Sequence, residues 1–335
     1  MLWWKGLPTT KGSTLLRVFR FTSVCYLTLA LVVSTVRPGT QNALANSDTI
    51  LKTVSKERLI ELDKAAALIL RSNPEVIFVG DDHTNPHLAN GILVLLSSLQ
   101  QIRPVDCLFV EFPIDLQKEL DSSLARLDAV GMFKTLSTAM RPAYLAAFER
   151  MGYDANRLVA VLRNIDAVIE RADVLAMNRI LLNGDLFGFL RVNDVQLLAY
   201  NVESTSKELF DAIYFKFVDE LGDLNSEQTA LDWQGTSERS AIMADNIVTM
   251  IASNRCANSV IIVGQKHLLN QEFVRNQWGR SISTTPIQTH VEEDGHSSIV
   301  VTVRSTNGGL TDSKFIRDLE PRGAFDRYAG SLLTP

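Results

Sequence analysis

The chain has 335 residues with 46% hydrophobic and 21% charged content, enough apolar material for one large core or two modest ones. Its formal charge of -5, with Lys and Arg scattered along the chain, provides no basic field for phosphate backbones and excludes nucleic acid as the expected partner. The three cysteines are too few for a disulfide framework, and Cys107 and Cys256 match no zinc-ligand spacing, so both are expected as small core residues.

Residues 1–45 read as a targeting segment. Lys5, Lys11, Arg17 and Arg20 precede an uncharged apolar run from Phe21 to Val36, and Ala43-Leu44-Ala45 then offers a peptidase site. The run is short of the roughly 20 residues that span a bilayer as a helix, which favours a cleaved signal over an anchor. The protein is therefore expected to be exported, periplasmic or secreted, with membrane contact only through this segment.

Residues 46–74 carry apolar side chains at helical spacing (Leu59, Leu62, Ala66, Leu70) and predict a lead-in helix ending before Pro74. Glu75 to Gly80 is a short, β-branched apolar run closed by glycine, the pattern of a strand buried on both faces. Asn85-Pro86 marks a helix start, and Cys107 to Phe112 is the next strand, completing a β-α-β unit. From 113 to about 182 the pattern is helical without a strand, an insertion between the second and third core strands. Val195 to Asn201 restores a strand and Glu203 to Leu221 a helix, while 225–235 is polar and loop-like. Ser237 to Ser253 is amphipathic, Ser259 to Gly264 a strand, Leu268 to Trp278 a helix and Ser298 to Arg304 a last strand. The expected fold is thus α/β: one domain over 46–305 with a mostly parallel central sheet flanked by helices, followed by a loosely packed tail over 306–335.

Two segments repeat one local pattern. Residues 76–83 read V-I-F-V-G-D-D-H and 260–267 read V-I-I-V-G-Q-K-H: a buried strand, a glycine, two polar residues and a histidine. In open α/β sheets ligands bind beyond the carboxyl ends of the strands, so His83 and His267 should face one crevice. Glu111, closing a third strand, should emerge on the same rim. Two imidazoles and a carboxylate can hold a divalent metal that activates water. Without metal, one imidazole can act as general base while Asp81, Asp82 or Glu111 fixes its tautomer. Spacing does not separate these two mechanisms. The chain has no G-x-S-x-G elbow, G-x-G-x-x-G or Walker loop.

Paired G-x-x-H motifs after strands, a strand-ending Glu, and a helix bearing Glu238-Arg239, Met243-Ala244 and Asn246-Ile247 resemble the superfamily of ChaN-like haem-uptake proteins, TraB and Tiki proteins and erythromycin esterases. The resemblance covers residues 75 to 280, and Gly80 to His87 (G-D-D-H-T-N-P-H) looks most like the ChaN branch. Asp81 stands where the family usually has Glu, and Lys266 where it often has a small residue. The resemblance implies that His83 is the principal site histidine and His267 its partner, with Asp81 and Glu111 as acidic partners and Arg239 turned toward the pocket. His87, on the first turn of the expected following helix, is close enough to reach substrate at the same rim, with an exposed solvating histidine as the alternative reading. The resemblance also implies haem as a possible cofactor, for which Tyr144, Tyr153 or Tyr200 would be axial candidates, although none lies in a haem signature and packing is the alternative; the Met132-Phe133, Leu186 to Phe189 and Phe215 to Phe217 stretches could line a slot or dimer interface or equally form core. Three functional expectations follow: an exported hydrolase of an ester, lactone or peptide bond, with or without a metal; a haem- or iron-binding uptake protein; and a secreted effector-like factor. Superfamily likeness alone does not choose among them.

Overall fold

A computed structural model describes residues 59–61, 66–67, 69–81, 88–152, 154, 184–220, 226–269, 272–273, 282–305 and 328–334. The expected targeting segment, the Asn85-Pro86 helix start, Asp82, His83, His87, Tyr153 and much of the expected helical insertion lie outside these residues. Among the described residues no helix is long and apolar enough to cross a membrane.

The sheet is built from β1 (Leu59–Glu61), β2 (Val76–Asp81), β3 (Cys107–Pro113), β4 (Gln196–Asn201), β5 (Ser259–Gly264), β8 (Ser298–Ser305) and β9 (Tyr328–Thr334). Its order is β1-β9-β8-β2-β5-β3-β4, with every pairing parallel. A separate antiparallel ribbon joins β6 (Glu272–Phe273) to β7 (Ile282–Ser283). The α/β class is as the sequence predicts, and its cause is visible in the strands. Alternate residues of each central strand feed two cores on opposite faces. Ile77, Val79, Leu108, Val110, Val260 and Ile262 enter one, packed against Ile92, Leu95 and Leu99 of α1 (Leu88–Ile102). Val76, Phe78, Phe109, Ile261 and Val263 enter the other, packed against Met243, Ala244, Ile247 and Ile251 of α6 (Ser226–Asn254) and Ile287 and Val291 of α7 (Ile287–Glu293).

Between β3 and β4 lie α2 (Gln117–Arg126), α3 (Ala129–Arg150) and α4 (Gly184–Val192), and α5 (Lys207–Glu220) follows β4. Gln117 covers the open edge of β4: its side chain donates to Leu197 O (2.9 Å) and accepts from Ala199 N (2.6 Å), satisfying groups an edge strand would otherwise present for pairing. Arg150 and Lys207 both pair with Asp211, tying α3 to α5. Partial burial alone would raise the Asp211 carboxyl, but the hydrogen bonds from Lys207 and Arg150 outweigh it and hold it below the usual carboxylate value. This tie is therefore fully present above the unfolded Asp pKa and is lost as pH falls through the lower folded one.

Five expectations are corrected. Leu59–Glu61 is a strand rather than part of a lead-in helix, because β9 offers it a parallel partner from the far end of the chain. That same partner, 328–334, lies in the tail expected to be loosely packed and instead pairs with β8 and β1. Residues 226–235 are helical, extending the amphipathic 237–253 stretch backward into one continuous helix whose early turns bury Ala230 and Trp233. Of the helix expected over 268–278, the described part is a 3-10 turn, Gln265–Leu268, and the short β6. The fifth concerns the cysteines: Cys107 and Cys256 are core residues as expected, 0% and 4% exposed, but they are joined in a disulfide across a sequence separation of 149.

The bridge fastens the start of β3 to the segment between α6 and β5. Closing so long a loop removes much unfolded-state freedom, so Cys107→Ala/Cys256→Ala should lose about 2–5 kcal/mol in urea unfolding. A loss under about 0.5 kcal/mol would show that the bridge contributes no constraint.

Candidate functional site

The carboxyl ends of β2, β5 and β3 are neighbours, and this adjacency assembles the rim. Asp81 is in register with Gly264, so the two repeated strand-glycine motifs end side by side. The β3–β5 ladder runs only from Cys107↔Ser259 to Phe109↔Ile261. Beyond it the strands are bridged by a side chain: Gly264 N donates to Glu111 Oε2 at 2.9 Å. The carboxylate therefore replaces a ladder acceptor at the strand end.

The other oxygen, Glu111 Oε1, lies 3.6 Å from Arg239 Nη2 and 3.7 Å from His267 Nε2. The side chains of Glu111, Arg239 and His267 are 15%, 13% and 2% exposed, so the cluster is largely desolvated and its pairings are mutually necessary. His267 sits in the 3-10 turn that follows β5, and both ring nitrogens face α6. Arg239 Nη2 is 2.5 Å from Nε2, and Ser240 Oγ is 2.7 Å from Nδ1. A guanidinium has donors and no acceptor, so Nε2 must accept from Arg239. Arg239 Nε is buried with no hydrogen-bond partner among the described residues. Beside the cluster, Lys266 pairs with Asp232 and lies 4.7 Å from the centroid of the Trp233 ring, so this motif residue is held against α6.

Of the residues the sequence nominates, the structure brings Glu111, His267 and Arg239 together and ends β2 at Asp81 beside them. Asp82, His83 and His87 lie outside the described residues. His290 and His296, away from this cluster, are partly exposed and pair with Glu293 and Glu75. Among the tyrosines weighed as haem ligands, Tyr200 is fully buried and its hydroxyl donates to Ile262 O at 2.6 Å, so it supports the sheet. Tyr144 is half-buried on α3. Met132, Leu186 and Phe187 pack in the core, and Phe133 and Phe215 are buried as well.

Sequence reading missed Ser240. A serine within a helix is unremarkable alone, but it falls at helical spacing with Thr236, Met243, Ala244 and Ile247, all buried on one stripe of α6. A hydroxyl in an apolar stripe needs a partner, and that requirement was the available signal.

The proposed metal set of His83, Glu111 and His267 meets a specific obstacle. A cation at His267 Nε2 would occupy the place held by the Arg239 guanidinium, and like charges at that distance repel strongly in a desolvated site. The residues present therefore do not fit a divalent ion ligated by His267. Among the described residues no cluster of three His, Cys, Asp or Glu side chains is arranged to hold a metal.

Comparison with known proteins gives little beyond this. No family model and no curated protein matches the chain. Two solved structures are similar: the type III effector HopBA1, at 11% identity and a TM-score of 0.44, covering 77% of this chain and 89% of that one; and ChaN of Campylobacter jejuni, described with cofacial haem binding, at 12% identity and a TM-score of 0.40, covering 72% and 85%. At these scores neither likeness assigns a function.

Removing the Glu111 carboxylate would strand two buried groups, Gly264 N–H and the Arg239 guanidinium. Glu111→Ala should cost about 3 kcal/mol in urea unfolding, while Glu111→Gln, which keeps an acceptor for Gly264, should cost about half of that. Equal losses in both variants would show that charge, not the Gly264 bond, sets the stability of this rim.

Proposed function

We propose that the rim at the ends of β2, β3 and β5 is a metal-independent acid–base site that hydrolyses an ester, lactone or peptide bond. The observation that carries this reading is the placement of a desolvated carboxylate at the end of β3 against a guanidinium from α6, next to the strand end at which Asp81 is in register with Gly264. Three kinds of group are needed for such a reaction: a base for water, a partner that orients the base, and a positive or donor group for the developing oxyanion. In this reading His83, two residues beyond Asp81, is the base. Glu111 Oε1, the oxygen not bound by Gly264, orients the imidazole and steadies the imidazolium. Arg239 supplies positive charge to the carbonyl oxygen, and Asp81 and Asp82 are candidate acidic partners for fixing the tautomer of His83.

His267 is not the base in this scheme, because its Nε2 lone pair is used by Arg239. The metal-dependent version is set aside for the same reason. Export of the protein is part of the proposal, and the Cys107–Cys256 bridge supports maturation in an oxidising space.

The test is a panel of ester, lactone and peptide substrates assayed on the purified chain with and without a chelator, with an absorbance spectrum recorded on the same samples. Hydrolysis should persist in chelator and fall by about a hundredfold or more in His83→Ala. Activity lost to chelator, or a Soret band that disappears in His83→Ala, would contradict the proposal, the second result moving the reading to haem binding.

A further inference from the structure

Helix α6 contributes to His267 twice within two residues, and the two contacts carry different information. Ser240 is 1% exposed, and its hydroxyl is 2.8 Å from Thr236 O, one turn earlier, and 2.7 Å from His267 Nδ1. A hydroxyl has one proton. Thr236 O can only accept, so Ser240 donates there and must accept from Nδ1, which places a proton on Nδ1. At the other end of the ring Arg239 can only donate, so Nε2 carries none. The two constraints are independent and agree.

We infer that Ser240 is a positioning residue that locks His267 as the neutral Nδ1–H tautomer, making the imidazole a fixed acceptor that holds Arg239 against Glu111. The charged groups facing the ring from the described elements include Arg239 on α6 and Glu111 on β3. Glu111 Oε1, at 3.7 Å, would favour an imidazolium, whereas Arg239 at 2.5 Å and burial of the side chain to 2% exposure oppose it. The neighbouring Lys266 charge is neutralised by Asp232. The hydroxyl decides the matter, since it gives the single proton of the neutral ring a partner at Nδ1.

A division of labour between the two repeated motifs follows. In G-Q-K-H, Gly264 N–H fixes Glu111 and His267 fixes Arg239, so the second motif is a clamp on the carboxylate–guanidinium pair. Without the Ser240 hydroxyl, Nδ1–H would lose the acceptor that Ser240 provides. The ring would then favour the Nε2–H form, which opposes a donor to Arg239 and releases it from Glu111. The activity consequence rests on the function proposed above, but the tautomer does not.

The experiment is imidazole 15N–1H correlation spectroscopy of the full chain between about pH 5 and 8, with His267→Asn used to assign the signals. Wild type should show His267 with a protonated Nδ1 and a bare Nε2 throughout. Ser240→Ala should convert the ring to the Nε2–H form or to a titrating imidazole, and Ser240→Thr, which keeps the hydroxyl, should restore the wild-type pattern. Where hydrolysis is measurable, kcat/KM should fall by up to about a hundredfold in Ser240→Ala with a changed pH profile, and recover in Ser240→Thr. A wild-type ring that titrates in this range, or that carries its proton on Nε2, overturns the inference whether or not Ser240→Ala folds, and so does a folded Ser240→Ala with an unchanged spectrum. A locked tautomer in a protein that hydrolyses none of the panel would leave the clamp standing and overturn the proposed hydrolysis instead.

Discussion

Where β3 and β5 stop pairing after Phe109 and Ile261, the Gly264 N–H needs an acceptor, and Glu111 provides it. A backbone donor at a buried strand end costs about 1–3 kcal/mol if left unpaired, so the carboxylate is drawn to one position and one rotamer. Fixing Oε2 leaves Oε1 facing α6, and a desolvated carboxylate oxygen in turn requires a cation. Arg239 answers that requirement. The polar rim is thus organised outward from a hydrogen bond that the sheet itself demands.

The arrangement is rigid because its members belong to elements that cannot shift independently. Glu111 is on β3, Gly264 on β5, and Arg239 and Ser240 on α6, and the apolar stripe of α6 packs on the face made by Phe109, Ile261 and Val263. The Cys107–Cys256 bridge fastens β3 to the segment just after α6 at the opposite margin of that face. Such positioning by packed elements is what acid–base chemistry needs, since carboxylate and base must be held within hydrogen-bond reach without reorganisation.

The five central strands could be read from the sequence because burial on both faces leaves contiguous apolar runs, such as S-V-I-I-V-G, whose every residue is buried. The features that escaped reading depend on partners distant in sequence. Three residues at Leu59–Glu61 have no strand signature until β9 is beside them, and a cysteine pair 149 residues apart shows no spacing pattern. The start of α6 was hidden by its composition: S-E-Q-T-A-L-D-W-Q-G is polar enough for a loop, yet it buries Ala230 and Trp233, and Gln234 donates to Glu238 one turn on. At the site, residue type and strand-end position nominated Glu111 and His267, and the family resemblance nominated Arg239, but none of these showed which groups the three would contact. His267 looked like a base or a ligand because the sequence could not show that both its nitrogens already have partners.

The central claim is that Glu111 and Arg239 form one energetic unit. A double-mutant cycle on unfolding free energy, using Glu111→Ala, Arg239→Ala and the double variant in urea at neutral pH, tests it most directly. The account predicts a coupling of about 1 kcal/mol or more, the double variant being less damaged than the sum of the single ones. Additive losses would mean that the carboxylate and the guanidinium are merely neighbours, and the rim as described would not be a unit.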